Sequence, residues 1–252
     1  MIFLHVQGVR TLKYGKTALC ILSAAGLIIT ILLTCVDHFA FQRSFFEKQY
    51  QKLNTAQDMN MSKQDLMRAT DVLLDYLKDE RDDISLQVVA AEEKVEMFNE
   101  RETAHMVDVK NLYQGAMQVR FYAFLITLVA FALLFWKARK DLLFALCYRY
   151  VQCAIAAVVI AGVLGLWIMS DFTTFWTNFH RLFFSNDLWL LNPATDRMIQ
   201  MFPEPFFFAM VSRIVLAFAI VFLTLFGLSL YYLKHVMKKQ KGAVYAQDHI
   251  GK

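Results

Sequence analysis

Apolar and polar positions alternate along this chain in two registers. Four runs, 17–36, 119–136, 150–170 and 214–233, are almost unbroken in their hydrophobicity and hold no acidic residue. A helix needs about 20 apolar residues to cross a bilayer's hydrocarbon core, so each run predicts a transmembrane helix. Between the first two, from 37 to 118, the apolar residues thin out to an amphipathic spacing and predict a water-exposed domain resting on the membrane. Within it Ser62, followed three residues later by Asp65, opens a helix over 63–78, with Leu66, Ala69, Leu73 and Leu77 at helical spacing. Two short β-type runs follow, Leu86 to Ala90 and Lys94 to Phe98, and the three residues between them predict a hairpin. From Thr103 the helical period returns and runs without a breaker into the second span, placing His105, Asp108, Val109 and Leu112 on one stripe.

The segment 171–213, between spans three and four, holds all three prolines and a dense set of aromatic residues. Residues 179–184 (Phe-His-Arg-Leu-Phe-Phe) predict helix, with His180 four residues from both Trp176 and Phe184 and thus on an aromatic face. Asn192-Pro193 predicts a helix start, Asn as cap and Pro in the first turn, and Pro203 ends that helix. A connection of this length between spans is normally disordered or functional, and this one is too aromatic for disorder.

Charge then sets the expected orientation. Basic residues mark the cytoplasmic side in short flanks: three lie in the tail 1–16, four in the loop 137–149 and five in the tail 234–252. Both termini are therefore expected in the cytoplasm, with the 37–118 cap outside. That cap carries 16 acids against 10 bases, so the chain's net charge of +4 belongs to its inner flanks and nucleic acid is not an expected partner. The first run follows a basic flank as a signal peptide does, but it is long for one and no small-x-small cleavage site follows, so an uncleaved anchor is expected. The expected fold class is a mainly α membrane protein: four transmembrane helices with a small α+β extracytoplasmic cap between spans one and two.

The chain lacks GxSxG, HExxH and a phosphate-cradling glycine loop, which disfavours serine-hydrolase, zinc-protease and nucleotide-driven chemistry. Its four cysteines, Cys20, Cys35, Cys147 and Cys153, have no paired spacing and are expected to pack within the membrane. Of six histidines, His105 and His180 both lie close to the outer ends of spans. A lone histidine on an amphipathic face is more often a packing residue, and aromatic residues at this depth more often anchor helices in the interface. Arg181, Asn186, Asp187, Asn192, Asp196, Arg197 and Glu204 crowd polar groups into the aromatic stretch, and capping and solvation account for several of them. Asp108, one turn from His105, is either its orienting carboxylate or a solvated acid.

Four spans, a cap after the first, the run 98–109 (Phe-Asn-Glu-Arg-Glu, then His-Met-Val-Asp-Val from His105), the run 179–184, the run 192–196 (Asn-Pro-Ala-Thr-Asp) and the run 202–207 (Phe-Pro-Glu-Pro-Phe-Phe) together resemble the bacterial lipoprotein intramolecular transacylase family. The resemblance implies a multi-pass protein of the bacterial plasma membrane that acts on diacylglyceryl-modified lipoproteins. It moves an acyl chain from the sn-2 glyceryl oxygen to the α-amino group of the N-terminal cysteine and leaves a lyso form. By motif the two histidines implicated in catalysis map onto His105 and His180. Asp108, Arg181, Asn186 and Asp196 are expected as orienting or polar support, and Trp176, Phe179, Phe183, Phe184, Trp189 and Phe202 as the walls of the substrate cavity. No cofactor or metal is expected, and the expected assembly is a monomer in contact with membrane lipid. Two imidazoles suffice for aminolysis of an ester, because one proton is taken from the amine and one is returned to the alkoxide. The competing reading is a non-enzymatic membrane sensor or assembly factor whose cap binds a ligand or partner, and a weaker one is a phospholipid hydrolase.

Overall fold

A computed structural model describes residues 14–137 and 141–250. The stretches 1–13, 138–140 and 251–252 of the expected tails and inner loop lie outside the described residues. Each apolar run falls within one long helix: 17–36 in α1 (Tyr14–Ala40), 119–136 in α5 (Glu100–Lys137), 150–170 in α6 (Leu142–Ser170) and 214–233 in α9 (Glu204–Ile250). These four helices are long and apolar enough to cross a membrane. Much of their apolar surface faces away from protein; Leu166 and Met169 are 72% and 79% exposed. Exposure of that extent along whole helices is what lipid covers.

The remaining helices are α2 (Arg43–Leu53), α3 (Thr55–Asp58), α4 (Lys63–Leu77), α7 (Phe172–Phe183) and α8 (Arg197–Met201). The strands β1 (Gln87–Ala90) and β2 (Glu93–Glu96) form an antiparallel hairpin with Val88 opposite Val95. Its turn has two central residues, Ala91 and Glu92, where the sequence suggested three, and both take positive φ. That mirror-image turn matches the twist of the strands, and it is imposed here on residues other than glycine.

The chain divides into two compact units. One comprises residues 14–31, 121–161 and 220–250 of the described chain, and the other 32–120 and 162–219. In the first, Gly26 lets the α1 backbone approach Ala123 and Thr127 of α5, and Tyr150 donates to the Phe222 carbonyl at 3.2 Å. Cys20 is fully buried beside Leu134, Leu142 and Ala145, a packing role in keeping with an apolar free thiol.

The second unit has its own core. Ser62 caps α4, its hydroxyl accepting the Asp65 N–H at 2.9 Å, and the helix buries Leu66, Ala69, Thr70 and Leu73. The one polar member, Thr70, is satisfied because its hydroxyl donates to the Leu66 carbonyl and accepts from buried Tyr50 of α2 at 2.7 Å. Phe45, Phe46 and Tyr50 of α2 meet Phe206 of α9 in one aromatic cluster, with Met97, Met106, Met198 and Met201 filling the space around it.

Candidate active site

α5 begins earlier than the sequence suggested, at Glu100 and not Thr103, because Asn99 and Glu102 form a capping box. The Asn99 side-chain oxygen accepts the Glu102 N–H at 2.9 Å, and the Glu102 carboxylate accepts the Asn99 N–H at 2.8 Å. The second Glu102 oxygen takes the N–H of Met198, in the first turn of α8. Asn99 also donates through its side-chain amide to Asp196 at 2.9 Å. Asp196 in turn accepts the Asn192 N–H at 2.7 Å. A knot of three polar side chains, two of them almost fully buried, thus joins the start of α5 to the segment leading into α8. Burial pushes the Glu102 carboxyl up, opposed by the two N–H groups it accepts. The Asn192 N–H holds the Asp196 carboxyl below its ordinary range.

This knot fixes the start of the helix that carries His105, one turn further on. His180 comes from α7, whose N-cap Asp171 accepts the Thr174 N–H at 2.9 Å. The two imidazoles face each other with ring centroids 6.1 Å apart and are both buried. Phe184 stands 5.4 Å from the His105 ring and 5.6 Å from that of His180. Trp176 and Trp189 lie against His180 at 4.8 and 4.9 Å, and Phe179 at 5.5 Å. Trp176 is itself backed by Phe207 at 4.4 Å.

Hydrogen bonding distinguishes the two rings. Nδ1 of His180 lies 2.8 Å from the Trp176 carbonyl, which can only accept, so that nitrogen carries the proton and Nε2 has the free lone pair. Nδ1 of His105 is buried without a partner. Both rings lie beyond the apolar run 119–136 of α5 and outside the other three. Burial, with the neighbouring His180, pushes the His105 pKa down to about 4. Burial also lowers that of His180, opposed by its bond to the Trp176 carbonyl. Both rings are therefore neutral at pH 7.

The segment between α7 and α8 is tied to α5 in two places. Asn186 donates to the Asp108 carboxylate at 2.8 Å, and Arg101 bonds the Asp187 main-chain oxygen and stands 3.5 Å from its carboxylate. Asp108 therefore makes its hydrogen bond to Asn186 and none to His105, on which it acts only through its charge. Arg181 does not join the site; it is exposed on α7 and forms no hydrogen bond or ion pair among the described residues. Asp196 and Asn186 hold segments together at a remove from the imidazoles. Among the expected cavity walls, Trp176, Phe179, Phe184 and Trp189 surround His180. The Phe183 ring meets that of Phe179 at 4.9 Å and is half exposed. Phe202 sits instead in the aromatic cluster with Phe46, Tyr50 and Phe206, because α8 delivers it to the far side of Phe207. Asn192 does not cap a helix; its side chain accepts the Ala194 N–H in a tight turn, and α8 starts after Asp196. Asn99, Arg101 and Glu102 entered the sequence reading only as part of the run 98–109 and were given no role, although Asn-x-x-Glu ahead of an apolar-periodic stretch is a legible capping signal. Among the described residues no three His, Cys, Asp or Glu side chains gather as a metal site.

The model of one family, described as lipoprotein intramolecular transacylase Lit, matches residues 21–207. A search of curated proteins finds no match. Among solved structures, the chain is similar to the membrane integral lipoprotein intramolecular transacylase Lit from Bacillus cereus, at 21% identity and a TM-score of 0.67 over 90% of this chain and 98% of that one. Variants of the same Bacillus cereus protein with a histidine replaced by alanine or by arginine align with TM-scores of 0.66 and 0.65, at 21% and 22% identity. They cover 89% of this chain in both cases, and 96% and 95% of theirs. The family match spans well over half the sequence and takes in both buried histidines, the capping box and the segment knotted to it, and on that ground this chain belongs to the lipoprotein intramolecular transacylase family.

Proposed function

We propose that the acyl donor is the sn-2 ester of a diacylglyceryl-cysteine at the lipoprotein N-terminus and that the acceptor is the α-amino group of the same cysteine. Family membership gives the reaction class, transfer of an acyl chain within one lipoprotein molecule. The observation that carries the finer reading is the pair of neutral imidazoles, 6.1 Å apart, enclosed by aromatic rings.

The free amine attacks the ester carbonyl carbon, forming the N–C bond and a tetrahedral centre with a negative oxygen and an acidic nitrogen. Nε2 of His180, its lone pair left free by the Nδ1 contact, takes the nitrogen's proton. Collapse breaks the bond from carbon to the sn-2 oxygen, and the His180 imidazolium returns the proton to that oxygen. His105, depressed to a pKa of about 4, stays neutral and donates an N–H to the developing oxyanion. Donor and acceptor share one molecule, so folding the substrate correctly supplies most of the advantage, with effective molarities on the order of 10⁵ M or more available to oriented intramolecular reactions. Trp176, Phe179, Phe184 and Trp189 keep out the water that would otherwise hydrolyse the ester. The site faces the outer side of a bacterial plasma membrane, both termini are cytoplasmic and the protein acts as a monomer.

Co-expression with a diacylglyceryl lipoprotein tests this. Mass spectrometry of the modified N-terminal peptide should show an N-acyl, lyso-glyceryl product with the wild-type protein and none with His105→Ala or His180→Gln, at matched membrane abundance. Near wild-type conversion by either variant overturns the two-histidine mechanism, whereas no conversion by the wild-type protein returns weight to the sensor reading.

A further inference from the structure

We propose that Arg101 binds the carbonyl oxygen of the ester under attack, completing with His105 the pocket in which the oxyanion develops. The inference rests on the acyl-transfer reading above and adds to it a residue of the reacting centre. Arg101 lies four residues before His105 on α5, so the two side chains are neighbours on one helix face, with Cβ atoms about 5–6 Å apart. Its guanidinium is only partly engaged. One terminal nitrogen bonds the Asp187 main-chain oxygen, the Asp187 carboxylate stands at 3.5 Å, and the buried Nε has no partner. The side chain keeps 39% of its surface exposed, so the guanidinium is not sealed into the tie, and its charge acts on the His105 imidazole one turn away.

Position argues against a purely structural role. Arg101 sits in the first turn of α5, where the aligned backbone dipoles present positive charge and favour the acids Glu100 and Glu102 that flank it. A cation there opposes the dipole, and its one ion-pair contact is long and exposed, which yields little stability in return. Besides the flanking Glu100 and Glu102, the acids around it are Asp187 and, acting at longer range, Asp196; Asp108 is engaged with Asn186. The field of Arg101 also reaches the imidazole, helping to hold His105 uncharged. Two imidazoles suffice for the proton transfers, and the oxyanion gains from such a group. Once His180 has taken the amine proton, a single N–H from a neutral imidazole is a meagre match for a full negative charge in an aromatic, water-poor enclosure, and a planar guanidinium with spare donors supplies the rest. No oxidant or co-reactant is involved: the N–C bond forms, the C–O bond breaks, and Arg101 keeps its protons throughout.

The test uses purified full-length protein in proteoliposomes with a synthetic diacylglyceryl lipopeptide, read by the rate of acyl migration. Arg101→Gln should lower the limiting rate about 10²–10³-fold, the usual cost of removing one oxyanion donor, with the half-saturating substrate concentration little changed. Methylguanidinium added to Arg101→Ala should restore part of the rate, and Asp187→Ala, which removes only the carboxylate at the other end of the tie, should stay within about threefold of wild type. Arg101→Gln within about threefold of wild type, or Asp187→Ala reproducing its loss, overturns the proposal, because Arg101 is then only a tie. Should Arg101→Gln prove too unstable to purify, Arg101→Lys decides: a tenfold or greater loss of limiting rate supports the role and near wild-type activity overturns it. A wild-type protein that leaves the chain on the sn-2 oxygen fails the function itself, whereas an active wild type with an indifferent Arg101→Gln fails only this inference.

Discussion

Acidification is a perturbation whose cost can be worked from His105. In the unfolded chain an imidazole titrates near 6.5, whereas in the folded protein burial and the neighbouring His180 bring His105 to about 4. The folded state thus binds fewer protons than the unfolded one between these values. The stabilisation is fully present above pH 6.5 and is lost as pH falls towards 4. Two and a half units correspond to roughly 3 kcal/mol in total, and about 2 kcal/mol of that should already be gone at pH 5. His180, also depressed, adds a slope of the same sign. Thermal unfolding of the detergent-solubilised protein, followed by tryptophan fluorescence between pH 7.5 and 5, should therefore show a falling melting temperature. The fall should be distinctly smaller in His105→Gln, which has no proton to gain at that position. An NMR titration of labelled imidazoles gives the pKa directly. A His105 resonance titrating at 6 or above, or an identical pH slope in wild type and His105→Gln, would refute both the burial argument and the neutral-donor role built on it.

Two backbone positions offer further tests. A methyl group at Gly26 would come within van der Waals radii of the Thr127 hydroxyl and lie 2.8 Å from the Ala123 carbonyl oxygen. Gly26→Ala should therefore cost about 1–3 kcal/mol, seen as a lowered melting temperature, while Gly165→Ala, with open space around it, should leave it unchanged; equal melting temperatures would remove the close-approach argument. In the hairpin turn, Ala91 and Glu92 hold φ of 50° and 67°. Replacing the pair by Asn-Gly should stabilise the hairpin by about 1 kcal/mol and slow hydrogen exchange in β1, and unchanged exchange would show that the strain is absorbed elsewhere.

The spans were legible because lipid imposes a demand that a single sequence cannot disguise, about twenty apolar residues in a row. The helix over 63–77 was legible because Ser62 and Asp65 satisfy a purely local rule. Asn192-Pro193 obeys an equally good local rule and misleads, since the Asn192 side chain closes a tight turn and Asp196, pinned by Asn99 from another part of the chain, starts the helix instead. Phe202 shows the same limit: composition groups it with the aromatic residues near His180, and packing delivers it to Phe46 and Tyr50. Trp176, His180 and Phe184 could be read from their spacing, because one helix and its first residue beyond carry all three. The pairing of His180 with His105 could not, since nothing in a period of 3.6 residues reports on a partner 75 positions away. That pairing entered through the family resemblance, and the capping box that positions one member was missed although its signature was in view.

The knot of Asn99, Glu102 and Asp196 has a consequence for biogenesis. It closes a contact 97 residues long in sequence, and the residues between its ends include the whole of α5 and α6. Closing so long a loop in a free chain would cost about 4 kcal/mol in length-dependent entropy alone. Once α5 and α6 are helical and inserted, most of those residues are already ordered and the remaining search is short. A nascent chain that has emerged only as far as α5 therefore carries His105 on a helix whose capping Glu102 has one oxygen unsatisfied, and no partner ring for the imidazole. On the two-histidine mechanism proposed above, competence arrives late in synthesis, after α6 and α7 have been made, so a chain arrested before that point is expected to leave lipid esters untouched.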